Sequence, residues 1–524
     1  MILRRSEMFT EGMPNLHIDP ARRVFEAKYQ PAESDTWLDN PLIEALPGLL
    51  TDDEFARAIR FFPPHRAEMR DHPKNLRLAY IQRALQFFTP MEKHLLLYQR
   101  FSRIIRDGYV ARNPIADLGW NGLHRQIEDI NAKLKYGVEH YEPPSALGFA
   151  LIGIGGIGKT VGVNAVLRTY PKMLIHRTYT DSLGREHRLM RTQIVFLKLD
   201  CPNDGTLKSL CLRFFEAVDR LTGSTRYYYE YGYKGSKQRT ATEMLPDMAR
   251  VAALHAIGLL IIDEIQSLSK QKSGGQEQML QWFTELVNNI KLPVVLIGTP
   301  RADQILNSAF WQMRRNAGQG EGTWTRMQQD AEWDRFLRSL WRYQFVRHPS
   351  ELVETTNIHG QTVKTIPQDL NDMLYNESQG IADFAVKMFM IAQERAINSN
   401  LERLTPELIE VVAKDAFGKA RVILQGIRNN DSSILAKVDD ISFDLERVRA
   451  QDRPRPGAVP HDKSETVPFN HLHEKAPSRS TAADLPASDP ILPPLVRAAL
   501  ARGDSGLQGL RKAGFIASPT EFGL

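Results

Sequence analysis

Residues 153–160 read GIGGIGKT, a complete G-x-x-x-x-G-K-[ST] loop, and an apolar run ends at Ile152 just before it. The chain after Thr160, VGVNAVLRTY, can continue as a helix, so the loop has the strand-before, helix-after setting its chemistry requires. Triphosphate oxygens need several inward-pointing backbone N–H groups, and glycines let the backbone curl close enough to supply them. The N-terminus of the following helix adds a partial positive charge. Gly153, Ile154, Gly155, Gly156, Ile157 and Gly158 therefore form a phosphate cradle. Lys159 reaches the β- and γ-phosphates, and the Thr160 hydroxyl is a ligand for Mg²⁺. The ligands implied are ATP and Mg²⁺.

A second apolar run ends in two acids, LLIIDE at residues 259–264, about 100 residues after the loop. Asp263 would hold Mg²⁺, directly or through water, and Glu264 would orient and activate the attacking water. Neighbouring residues on a strand point to opposite sides, so the two acids need different roles. A third run, PVVLIGTP at residues 293–300, ends at Thr299. If that strand lies beside the phosphate-binding one, its hydroxyl bonds the γ-phosphate or the water. Further on, AFWQMRRNAGQG at residues 309–320 carries Arg314 and Arg315. An arginine given to a neighbour's γ-phosphate stabilises transition-state charge and accelerates such reactions about 10³–10⁵-fold. Sequence does not choose between the two.

These residues need a scaffold. Apolar runs at 146–152, 194–199, 258–262 and 293–297 alternate with longer amphipathic stretches. This predicts an α/β core over residues 119–347, with buried parallel strands and crossover helices. Residues 1–118 read as a helical N-terminal arm or domain without chemistry of its own. A helix over 91–107 there puts Leu95, Leu96, Phe101, Ile104 and Ile105 on one side. Residues 348–430 read as a helical lid. One helix covers 380–398, and a second runs from 407 to about 424. Thr405 caps the second, Pro406 opens it and Gly426 stops it. Residues 431–524 are linker and tail. The stretch 451–524 holds ten of the 30 prolines, so 451–490 reads as a flexible linker. Residues 494–516 regain apolar character and read as a short element that orders on a partner.

Composition sets the outer bounds. With 524 residues, 42% hydrophobic and 25% charged, the chain has a soluble globular mix and length for about three domains. A net charge of +5 is weak, so any nucleic-acid surface must be a local patch. Two cysteines, Cys201 and Cys211, exclude a disulfide framework and read as core residues of a reducing compartment. No 18-residue apolar run exists, and the N-terminal MILRRSEMFTEGM lacks the apolar stretch of a secretory signal. The expectation is a cytoplasmic protein without membrane contact. The HLHE at residues 471–474 lacks further ligands for a metal site.

The glycine loop, the DE-ended strand, the Thr-ended strand and the downstream helical module together resemble an AAA+ ATPase. Segments at 39–47 (DNPLIEALP), 94–114 (HLLLYQRFSRIIRDGYVARNP), 204–220 (DGTLKSLCLRFFEAVDR), 258–280 (GLLIIDEIQSLSKQKSGGQEQML) and 296–300 (LIGTP) narrow the likeness to TnsC. TnsC-type proteins are the ATP-dependent regulators of heteromeric cut-and-paste transposons. The likeness covers about residues 37–420. It implies an AAA+ P-loop NTPase core with a parallel sheet and helical lid that hydrolyses ATP. It also implies assembly into a ring or filament on double-stranded DNA. By the same likeness the N-terminal arm would meet a target-selection protein, and the tail would meet TnsA-like and TnsB-like transposase subunits. One departure stands out. Many AAA+ proteins place an arginine three residues after a glycine at the start of a lid helix, whereas Gly380 is followed by Ile381, Ala382 and Asp383. Lys387, a turn further, is either a substitute or a solvated lysine.

For DNA contact the candidates are local. Residues 226–239, RYYYEYGYKGSKQR, carry Lys234, Lys237 and Arg239 among five of the 15 tyrosines. Basic residues interleaved with aromatics suit phosphate contact and stacking, although the tyrosines equally suit an interface. Lys270 and Lys272 follow the DE strand, and Lys208 opens the helix after the second strand; these face a ring's pore or solvent. Backbone contact without base readout predicts strong salt dependence. A helicase loader or replication initiator shares the nucleotide machinery and is the alternative. A metabolic phosphotransferase fits poorly with the long tail, the arginine pair and the basic insertion.

Overall fold

The computed structural model describes residues 18–110, 112–115, 148–268, 282, 292–304, 322–356, 362–416 and 421–429. All belong to the first of two units into which the chain divides, Met1–Arg453 and Pro454–Leu524. Lys270, Lys272, Arg314, Arg315, the HLHE segment and the whole tail lie outside the described residues.

The N-terminal part supplies strand β1 (Val24–Glu26) and helices α1 (Pro41–Glu44), α2 (Asp52–Ile59), α3 (Lys74–Tyr80) and α4 (Glu92–Val110). Thr51 and Glu54 close a reciprocal cap on α2, satisfying backbone donors at its start. Helix α4 buries Leu97, Tyr98, Phe101, Ile104, Ile105 and Tyr109. Leu96, expected on that face, is exposed; the stripe that starts at Leu97 continues through Phe101 and Ile104 at helical spacing.

The core follows with β2 (Gly148–Ile152), α5 (Lys159–Leu167), β3 (Met173–Thr180), β4 (Glu186–Ile194) and β5 (Phe196–Asp200). Next come α6 (Leu207–Thr222), α7 (Arg226–Gly232), β6 (Tyr233–Lys234), β7 (Lys237–Gln238), α8 (Ala241–Leu254), β8 (Leu259–Asp263), β9 (Val294–Gly298) and β10 (Gly322–Thr323). Five strands form one sheet in the order β10-β2-β9-β8-β5, every pairing parallel. Both faces are covered, which is why the strands read as continuous apolar runs. Phe149, Leu151, Leu259, Ile261, Val295 and Ile297 join the core shared with α4, α5 and the C-terminal helices. Ala150, Ile152, Leu260, Ile262, Val294 and Leu296 pack on the opposite side with α6 and α8.

Two expectations change here. The second strand begins at Phe196 rather than Ile194, because Ile194 ends β4. Strands β3 and β4 form a hairpin that, with β1, makes a separate three-stranded sheet. Its alternation is polar enough to hide among crossover residues, and its turn is built by Asp181 and Gly184.

The C-terminal part contributes α9 (Ala331–Trp341), β11 (Val353–Thr356), β12 (Thr362–Thr365), α10 (Gln368–Ser378), α11 (Ala382–Asn398), α12 (Pro406–Ala416) and α13 (Arg421–Arg428). Thr405 caps α12 as its sequence predicts, accepting from the Leu408 N–H at 3.2 Å. Within the span expected as one helix, 407 to about 424, residues up to Ala416 and from Arg421 are helical and 417–420 lie outside the described residues; Gly426 lies inside α13 rather than stopping a helix. No helix among the described residues is long and apolar enough to cross a membrane.

Candidate functional site

Parallel strands deliver their carboxyl ends to one edge, and the predicted residues meet there. Ile152 pairs with Gly298, and Asp200 with Asp263, so four strand ends lie in register. The glycine loop leaves β2 and enters α5 at Lys159. Gly156 and Gly158 have φ of +77° and +91°, a region that side chains other than hydrogen rarely adopt. Lys159 Nζ donates to the carbonyls of Gly153 and Ile154, at 2.6 and 2.9 Å. Its ammonium thus rests folded over the cradle.

Asp263 ends β8 with only 2% of its surface exposed. Its Oδ2 accepts from the Thr160 hydroxyl at 2.9 Å and from Lys198 Nζ at 2.9 Å. Its Oδ1 accepts from the Glu264 N–H at 2.9 Å. A hydroxyl and a carboxylate side by side are hard oxygen donors, and they fit Mg²⁺, which takes one or two such groups and completes its shell with phosphates and water. Among the described residues no three His, Cys, Asp or Glu side chains cluster as a protein-only metal cage.

Glu264 leaves the strand in a left-handed conformation, φ +58°, which costs a non-glycine residue about 1–2 kcal/mol. This turns its side chain away from that of Asp263. Its carboxylate accepts from the Gln266 amide, whose oxygen in turn accepts from the Thr299 N–H at 3.1 Å. The Thr299 hydroxyl is buried and has no hydrogen-bond partner among the described residues. A buried hydroxyl left unbonded costs about 1–3 kcal/mol, which makes Thr299, just past the end of β9, a candidate for contact with a ligand.

These groups open into a cavity of about 320 Å³. Its far wall is largely apolar, with Phe87, Phe88 and Met91 from the N-terminal part, Phe336 from α9 and Val386 from α11, interrupted by Thr89, Lys93 and His94. The cavity thus pairs a polar phosphate end with a compartment suited to a planar base. Residues 84–94 carry no motif; only the fold brings them to the site. The start of α11 also meets the glycine loop, where the Asp383 N–H donates to the Gly156 carbonyl at 3.1 Å. Lys387, one turn on, pairs with Asp383 at 2.6 Å and keeps 19% of its side chain exposed. Lys198 and Gln266 also lacked a motif. The lysine inside the otherwise apolar run IVFLKL was a legible signal.

The predicted basic residues have separate fates. Lys234 and Lys237 are exposed and pair across the β6–β7 hairpin. Arg239 is committed within the chain, to the Asp247 carboxylate at 2.6 Å and the carbonyls of Tyr231 and Glu243. Lys208 is half-buried in the first turn of α6. Most of the tyrosines pack: Tyr227 bonds His255 at 2.7 Å and stacks on Tyr231, and Tyr228 bonds Tyr233. Tyr229 alone of the five is largely exposed. Cys201 and Cys211 are buried; burial pushes the Cys201 thiol up to about 12 and the Cys211 thiol higher, so both stay protonated.

Over residues 145–306 the chain matches the family model of an AAA domain. With the sheet order and the glycine loop, this defines an AAA+ P-loop NTPase fold. Among solved structures it is similar to the Orc1 protein of Aeropyrum pernix in complex with DNA, at 17% identity and TM-score 0.32, covering 57% of this chain and 64% of that one. It is also similar to Cdc6p from Pyrobaculum aerophilum, at 13% identity and TM-score 0.33, covering 56% and 66%. The chain spans less than two thirds of the length of either structure. Likeness at this distance carries neither activity nor partner to this chain. No curated protein matches it.

Proposed function

We propose that the chain is an ATP-hydrolysing regulator of transposition that assembles as a ring or filament on double-stranded DNA and links a target-selection protein to transposase subunits. The observation that carries the enzymatic part is the orphaned hydroxyl of Thr299, a residue that lines the same cavity as Lys159, Thr160 and Glu264. An apolar compartment with few polar groups suits adenine, since guanine brings more edge groups that burial would leave unpaired. Mg²⁺, when bound, neutralises charge shared by the β- and γ-phosphates. Lys159 exchanges two loop carbonyls for phosphate oxygens. Glu264 accepts the proton of the attacking water once its carboxylate leaves Gln266, and Thr299 orients that water or the γ-phosphate. Arg314 or Arg315 would come from a neighbouring copy.

The transposition part rests on the sequence likeness to TnsC. The N-terminal part would meet the target selector, and the tail the transposase. Lys234 and Lys237 at the exposed hairpin, with Lys208, Lys270 and Lys272, are the proposed DNA contacts; Arg239 instead braces the hairpin. Glu264→Gln tests the whole reading. It should retain ATP and DNA binding, lose turnover about 10²–10⁴-fold, and leave persistent assemblies on DNA under the electron microscope. Normal phosphate release would remove Glu264 from the catalytic role, and nucleotide-independent DNA binding would remove ATP control. Lys234→Ala with Lys237→Ala should lower the slope of log affinity against log salt by about two, as two lost phosphate contacts require. An unchanged slope would move the DNA surface elsewhere.

A further inference from the structure

The N-terminal wall of the cavity holds two polar side chains that fold stability does not explain. Thr89 is 7% exposed, lines the cavity, and its hydroxyl has no hydrogen-bond partner among the described residues. Lys93 lines the same cavity in the first turn of α4. A cation at a helix N-terminus faces the positive end of the helix dipole and is disfavoured there. Among the described residues Lys93 has no ion-pair partner; its ammonium lies 5.3 Å from the centre of the Trp324 ring. Burial holds its pKa below the ordinary lysine value, opposed only by Glu332 at a distance.

Trp324 fixes where this ammonium stands. Its indole N–H donates to the Ile157 carbonyl at 3.2 Å, and its ring packs on Gly162 in α5. Lys93 therefore stands against a ring that packs on the glycine loop and the start of α5, where phosphates would be received. His94 beside it is no competing cation: burial, and then Lys93, push its pKa down to about 3. Its Nδ1 accepts from the Met91 N–H at 3.0 Å, which fixes the chain between Thr89 and Lys93. An orphan hydroxyl beside the apolar compartment and an unpaired ammonium beside the phosphate loop match two ends of one molecule.

We infer that Thr89 and Lys93 are nucleotide-binding residues, Thr89 hydrogen-bonding the edge of the base and Lys93 pairing with the phosphate chain. This rests on the ATP reading of the same cavity. It gives the N-terminal part, which the glycine loop and acidic strand do not involve, its own contact with the nucleotide.

The test titrates the full-length chain with Mg-ATP and Mg-ADP. Thr89→Val keeps the side-chain shape and removes the orphan hydroxyl. It should leave the melting temperature of the nucleotide-free chain unchanged or higher, and weaken ATP and ADP alike by about five- to tenfold. Lys93→Met should weaken both by about tenfold and make binding less salt-sensitive, whereas Lys93→Arg should retain most of the affinity. A Thr89→Val chain that melts lower and binds less tightly would assign the hydroxyl to packing and overturn its role. If Lys159→Ala abolishes ATP binding while the Thr89 and Lys93 variants bind like the parent, the inference fails and the ATP reading stands. If the parent chain binds neither nucleotide, both fail.

Discussion

Thr299 shows how much one side chain can carry. Its N–H is fixed by Gln266 while its hydroxyl, 4% exposed on the residue as a whole, has no partner among the described residues. Thr299→Val should therefore preserve folding and ATP affinity but slow hydrolysis about 10²-fold, the usual cost of removing one preorganised donor. Single-turnover phosphate release set beside ATP titration separates the two; equal loss in both would make Thr299 a packing residue. The glycine loop, Asp263, Glu264 and Thr299 were legible in sequence because short spacing alone fixes them at strand ends. Thr89, Lys93 and Phe336 were not. Their place depends on helices that reach the loop through tertiary packing, and no local pattern records that.

Helix α11 begins against the glycine loop. The Asp383 N–H donates to the Gly156 carbonyl, and Lys387 pairs with the Asp383 carboxylate. The pair is close to neutral as a unit, so the lid meets the loop without repelling phosphates. Lys387→Met would leave the carboxylate uncompensated and should weaken ATP several-fold; Asp383→Asn in the same chain should restore it. A double-mutant cycle on ATP affinity should give a coupling of about 1 kcal/mol. Additive losses would show that the two residues act separately. The helix itself was plain from its apolar spacing, but the role of Lys387 was open until the partner on its own preceding turn was seen.

At the scale of the molecule, Arg77 and Glu402 tie the N-terminal part to the C-terminal helices. Arg77 is buried and forks onto Glu402 with both contacts at 2.7 Å, and it also bonds the Phe345 carbonyl. The hydrogen bond from Arg77 is the main cause holding the Glu402 carboxyl below its ordinary value of 4.5. The unfolded chain then binds that proton more tightly than the folded one. The pair's stabilisation is full above the unfolded value and is lost as pH falls through the lower folded value. Glu402→Gln should cost about 3 kcal/mol near neutral pH, because it strands a buried guanidinium. The difference from the parent should shrink in denaturant melts below pH 4.5. A pH-independent difference would show that geometry, not charge, matters at this joint.

The cavity's walls come from residues 84–94, the glycine loop, Phe336 and Val386, which the chain brings together from distant positions. Whatever fills that space touches all of them at once. It behaves as a removable cross-link, closing in one step loops that the backbone leaves open. Free energy gained on binding is then also resistance to unfolding, growing with the logarithm of ligand concentration. The melting temperature becomes a gauge of occupancy, and the emptied chain is the form most exposed to proteolysis.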